Sequence, residues 1–131
     1  MVLIAENIHI ISKTTKEAIL QKNDEYILNI VNNVLLNKVN VFDLNIGPAK
    51  ASLAGSMQYL TKLIDGNFDV NFSFDTSNFC EMKEGFEVLS TDKAKNSFIN
   101  SICAEDAKKH AGFEIAIKNN SNIIALTFNP D

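Results

Sequence analysis

Five short apolar runs, separated by stretches of helical periodicity, constrain this chain more than any other feature. The runs are Val2–Ala5, Val39–Ile46, Val70–Phe74, Ser97–Asn100 and Asn122–Phe128. Their length and β-branched content read as strands. Between the first two, Ile27, Ile30, Val31, Val34 and Leu35 fall at i, i+3, i+4, i+7 and i+8. That spacing is one apolar stripe on a helix predicted over Asp24 to Asn37. A shorter helix is expected before it, opened by a capping box at Thr14 and Glu17. Leu53, Met57, Leu60 and Ile64 mark another helix, stopped near Asp65-Gly66. Met82, Phe86 and Leu89 form the apolar side of a helix from Asn78 to Leu89, and Glu105 to Asn119 is predicted helical. Strands that alternate with helices predict βαβ units and a parallel sheet, with right-handed crossovers laying helices over it.

Two α/β architectures fit this order. One is a complete five-stranded doubly wound domain. The other is the first five strands of an eight-stranded β/α (TIM) barrel, which takes about 250 residues when whole. The length of 131 residues favours a single complete domain. The stop at Asn129-Pro130-Asp131, directly after a strand, favours the partial barrel.

Composition narrows the function classes. Hydrophobic residues make up 46% of the chain, as suits a packed core. No apolar run approaches the roughly 18 residues of a membrane span, and the start MVLIAENIHI has no basic region or cleavage site. The expected setting is cytoplasmic, with no membrane partner. Net charge is −4, and no basic patch interleaves with aromatics, which argues against a nucleic-acid partner. All 12 basic residues are lysine, so no guanidinium fork is available for phosphate or carboxylate. Cys80 and Cys103 are expected to be reduced and mostly buried, His9 and His110 are isolated, and no ligand spacing predicts a bound metal. Phosphate-loop and nucleophile-elbow motifs are absent from the sequence.

Polar residues recur where strands end. The first strand delivers Glu6 and Asn7, the second Asp43 and Asn45, and the third Asp75, Thr76 and Asn78. The fourth delivers Asn100 and Ser101, the fifth Thr127 and Asn129. In a parallel α/β fold these ends share one rim, where ligands bind. Carboxylates and amides suit a neutral heterocycle with N–H donors and carbonyl acceptors. At any single position the commoner role is a helix N-cap, and Asp75 could cap the helix that begins near Asn78. Recurrence at every strand end favours a site, and Thr76, Ser77 or Asn78 can take the cap and leave Asp75 to the rim.

These segments resemble the pterin-binding barrel family. They are most similar to the methyltetrahydrofolate:corrinoid methyltransferases, including the enzyme that acts on the corrinoid iron–sulfur protein and the folate module of cobalamin-dependent methionine synthase. AENIH (Ala5 to His9) is similar to the family's G-E-R-[IT]-N, and DLNIGPA (Asp43 to Ala49) to D-[LV]-N-[VI]-G-P-A. SFDTSN (Ser73 to Asn78) is similar to a D-[ST]-[ST]-N strand end, FINSI (Phe98 to Ile102) to [IV]-N-S, and LTFN (Leu126 to Asn129) fits the fifth strand. DLNIGPA is the most specific of these; the D-T-S-N and I-N-S segments are shared with dihydropteroate synthase. The resemblance implies the first five strands of a barrel. It implies that Glu6, Asp75 and Asn100 hydrogen-bond a pterin ring, and that Asp43, Asn45 and Gly47 line the same mouth. Asn7 stands where the motif has Arg, and His9 where it has an Asn that helps hold the pterin.

The implied reaction is methyl transfer from methyltetrahydrofolate, as substrate, to a corrinoid (cobalamin) carried by a partner protein such as a corrinoid iron–sulfur protein. The family's later strands supply a further pterin-binding carboxylate and an Asn associated with proton delivery to N5, so this stretch alone is expected to be weakly active or inactive. Two other readings are a dihydropteroate-synthase-like fragment and a non-catalytic half-barrel that binds pterin or itself. Unpaired edges on the first and fifth strands lead us to expect a homo-oligomer.

Overall fold

A computed structural model describes residues 1–103 and 109–127. Five strands form one sheet: β1 (Ile4–His9), β2 (Val41–Gly47), β3 (Asn71–Thr76), β4 (Phe98–Cys103) and β5 (Asn122–Leu126). Their spatial order is β1-β2-β3-β4-β5, and every neighbouring pair is parallel. Between them lie α1 (Lys13–Leu20), α2 (Asp24–Leu35), α3 (Ser56–Asp65), α4 (Phe79–Glu87), α5 (Thr91–Lys95) and α6 (Lys109–Asn119). Each of α1 to α4 and α6 touches a strand, α1 to α4 touch in succession, and α6 touches both α4 and α5, so the helices make a layer that follows the strand order.

The expected α/β alternation is present, with shifts at the boundaries. Strand β1 begins later than Val2 and runs through Glu6 and Asn7 to His9. Parallel pairing with β2, from Ile4 opposite Val41 to His9 opposite Asn45, sets that range, while Met1, Val2 and Leu3 are exposed. The capping box does not form at Thr14. Ser12 caps α1 instead, its Oγ accepting from the Thr15 N–H at 3.3 Å. Leu53 lies in a short 3-10 turn, Ala51–Leu53, ahead of α3. Helix α5 falls where the sequence predicts none; its Ser90 N-cap carries the signal in retrospect. Cys80 is exposed rather than buried, because it sits on the outer face of the first turn of α4. The predicted helix start at Glu105, and Phe128 and Asn129 of the last strand, lie outside the described residues.

The core lies between the sheet and the helices. Alternate residues of β2 and β3, namely Phe42, Leu44, Ile46, Phe72 and Phe74, are fully buried with Met57, Leu60, Ile64 and Met82 from the helices. The Phe74 ring packs against Phe86 of α4 at 4.5 Å between centroids. Period-2 geometry then turns Asp43, Asn45, Ser73 and Asp75 to the opposite face.

Two features hold α3 and α4 in place. Gly55, at φ 75°, precedes α3 and has no side chain to cap it. Glu81 of α4 does so from across the interface: its Oε1 accepts from Gly55 N–H at 2.6 Å and its Oε2 from Met57 N–H at 3.1 Å. A carboxylate at a helix N-terminus satisfies orphan donors and complements the dipole. Gly85 lets α4 lie close to the sheet; a Cβ there would sit 2.7 Å from both the Phe74 ring and Met57 Cγ.

At a solvent-exposed helix position, replacing Gly by Ala stabilises by about 1 kcal/mol. At Gly85 overpacking reverses the sign, because a buried aromatic ring cannot step aside. Gly85→Ala is expected to lower stability by about 1–3 kcal/mol in urea unfolding. A more stable variant would show that α4 has room to move outward.

Candidate functional site

The face opposite the helices carries the chemistry. Asp43 lies in the middle of β2, not at its end, and is 2% exposed. Directly across the register is Ser73 on β3. Its hydroxyl donates to Asp43 Oδ1 at 2.5 Å, and Asn100 Nδ2 of β4 donates to the same oxygen at 3.0 Å. One carboxylate oxygen therefore joins three adjacent strands.

Two residues further along, a second layer repeats the pattern. Asn45, Asp75 and Asn100 are neighbours in register across β2, β3 and β4. Asn45 Oδ1 accepts from the Gly47 N–H at 3.1 Å, which turns its amide group toward Asp75 Oδ2, to which Nδ2 donates. Strand β3 continues past Asp75 to Thr76, so Asp75 is a sheet residue and not a cap. The cap of α4 is Asn78, whose Oδ1 accepts from the Cys80 and Glu81 N–H groups. Thr76 donates to the Gly47 carbonyl at 2.6 Å and accepts from Asn78 N–H at 3.0 Å, tying the ends of β2 and β3 together.

Strand β1 completes the group. A pocket of about 220 Å³ is lined by Glu6, His9, Ile11, Asp43, Asn45 and Asp75. Glu6 is exposed at its edge. His9 Nδ1 accepts from the Ser12 N–H at 3.3 Å, so neutral His9 carries its proton on Nε2. Gly47 lies off the pocket lining. With φ 56°, it turns the chain out of β2, and its N–H and C=O are both used by site residues.

Burial, together with neighbouring carboxylate charge, raises the proton affinity of Asp43 and Asp75. Burial pushes Asp43 upward, opposed by the hydrogen bonds from Asn100 and Ser73 and aided by the charge of Glu6. Asp75 is pushed up to about 6, first by burial and then by the charges of Asp43 and Glu6. Among the described residues, no lysine lines this pocket to offset them. The site thus suits a ligand edge that donates N–H groups and carries no negative charge.

Of the residues expected at the rim, Glu6, His9, Asp43, Asn45, Asp75 and Asn100 come together. Asn7 is exposed on β1, and Thr127 is exposed beyond β5. Ser73 is the site residue that strand-end reasoning missed. Its signal was its place two residues before Asp75, on the same face.

The raised Asp75 group makes stability depend on pH. Between about pH 4 and 6 the folded chain holds a proton at Asp75 that the unfolded chain has released. Its contribution is therefore complete below the unfolded value and lost as pH rises through about 6. Wild type is expected to lose stability between pH 5 and pH 8 relative to Asp75→Asn, measured by urea unfolding at both pH values. An identical pH dependence for the two proteins would place the titration elsewhere. No protein-family model matches this sequence, and no curated protein matches it significantly.

Proposed function

We propose that this chain is the first five strands of a β/α barrel that binds a reduced pterin, and that its reaction is methyl transfer from methyltetrahydrofolate to a corrinoid held by a partner protein. One observation carries the ligand class. Glu6, Asp43, Asn45, Asp75 and Asn100 come from four successive parallel strands: Asn45 is hydrogen-bonded to Asp75, Asn100 to Asp43, and Glu6 lines one pocket with Asp43, Asn45 and Asp75. A carboxylate that accepts two N–H groups side by side matches the amino-pyrimidinone edge of a pterin.

Two features support the barrel over the doubly wound alternative. Doubly wound sheets reverse their strand order at a switch point, and this sheet runs from β1 to β5 without reversal. Parallel sheets covered on both faces are apolar on both. Here the helix-free face of β2 to β4 carries Asp43, Asn45, Ser73, Asp75 and Asn100, as the inner wall and mouth of a ligand-binding barrel would.

In this reading Asp75 and Glu6 bind and orient the ring, and Asp43 and Asn45 hold their neighbours in place. The corrinoid supplies the nucleophile when the partner docks. Departure of a tertiary amine needs a proton or strong hydrogen bond at N5. The residues of this cluster address the ring edge instead and act by positioning.

Calorimetry with 5-methyltetrahydrofolate tests the ligand. Asp75→Asn keeps the shape but removes the charged acceptor, and is expected to weaken binding by about 10-fold or more. Equal heats from the two proteins would remove Asp75 from the site. Methyl transfer to cob(I)alamin, followed by its absorbance change, tests the reaction separately from binding.

A further inference from the structure

The cluster contains two amides whose orientation is set from behind. Asp43, as a carboxylate, offers only acceptors. Asn100 must therefore turn its Nδ2 group toward Asp43 Oδ1, 3.0 Å away, and its carbonyl oxygen away from it. Ser73 donates to the same Asp43 oxygen and holds the carboxylate still. In the next layer the Gly47 N–H fixes Asn45 Oδ1, so the Asn45 amide donates to Asp75 Oδ2 and leaves Oδ1 of Asp75 for other donors. Among the described residues this leaves acceptors on the ligand side, namely a carboxylate oxygen of Asp75, the carboxylate of Glu6 and, beside Asp75 in register, the carbonyl oxygen of Asn100; the Nε2–H of His9 is the donor beside them.

We propose that Asp43 is a positioning residue that sets the hydrogen-bonding polarity of the mouth beside Asp75: by holding the Asn100 amide with its oxygen away from itself, it makes this part of the rim select a ring edge built of N–H donors and reject the same ring carrying a carbonyl there. The choice of heterocycle rests on the pterin reading above; the amide orientation does not. Asp43 acts on the choice of ring edge through Asn100, and its effect is on selectivity more than on affinity as such.

The test compares two rings of equal size, pterin and lumazine, in which a 2-amino donor is replaced by a 2-oxo acceptor. Wild type is expected to prefer pterin by about 10-fold, the worth of one hydrogen bond to an oriented acceptor. Asp43→Ala frees the Asn100 amide to rotate, and the preference is expected to fall to about 2-fold or less, largely through better relative binding of lumazine. Asp43→Asn can still present an amide oxygen to Ser73 and Asn100 and is expected to restore the preference. Equal weakening of both rings in Asp43→Ala would make the role structural and overturn the proposal. Loss of preference in Asp43→Asn as well would assign selectivity to charge, and would also overturn it.

Side-chain amide exchange by NMR reads the orientation in wild type without any ligand. The Asn100 Nδ2 protons are expected to exchange at least about 10-fold more slowly than those of exposed Asn29 and Asn32. Equal rates would overturn a fixed orientation even if Asp43→Ala does not fold. Binding of neither ring overturns the pterin reading; the exchange rates then uphold or overturn the orientation by themselves.

Discussion

The buried carboxylate of Asp43 is the interaction on which the sheet and its site both depend. Removing an ionised carboxyl from water costs several kcal/mol unless hydrogen bonds replace the lost hydration. The replacements come from the neighbouring strands, from Ser73 on β3 and Asn100 on β4. Both donors reach Asp43 only in the observed register, because a one-residue slip would turn either one to the helix side. The polar contact therefore specifies alignment where apolar packing, being less directional, would tolerate alternatives.

That alignment also separates the two faces of the sheet. Phe42, Leu44, Phe72 and Phe74 lie against the helices and supply the apolar burial that drives folding. The residues between them face the other way and are free to be polar. A rigid packed layer behind the sheet lets the polar residues hold fixed positions, since strands backed by Met57, Met82 and Phe86 have no room to shift. Glu81 and Gly85 belong to this support: one caps α3 from α4, the other lets α4 approach Phe74 closely.

The mouth is assembled from layers, and each of its amides is oriented by a neighbouring group. Asp43 orients Asn100, Gly47 orients Asn45, and Asn45 holds Asp75. Burying these carboxylates, and then setting them beside one another's charge, raises the proton affinity of Asp43 and Asp75, a strain that a merely structural strand end would not need. Similar clusters of negative charge without a lysine nearby fit a ligand that brings its own hydrogen-bond donors.

The alternation of strands and helices was legible in the sequence because apolar period is local: Ile27, Ile30, Val31 and Val34 mark a helix, and Val70, Phe72 and Phe74 a strand, wherever they are placed. The recurrence of Glu6, Asp43, Asp75 and Asn100 near strand ends was legible for the same reason. The strand limits were not, since pairing partners settle them: β1 takes its range from β2, and β3 runs on through Asp75 because β2 and β4 are there to bond it. Nor could the sequence reveal Ser73 as a partner of Asp43, 30 residues away, or Glu81 as the cap of a helix it does not belong to. The sequence by itself determined the period of each element and the chemistry of each side chain. Only the tertiary structure decided which polar groups meet and which of their atoms remain free, because a hydrogen bond has a direction and an amide has two different ends.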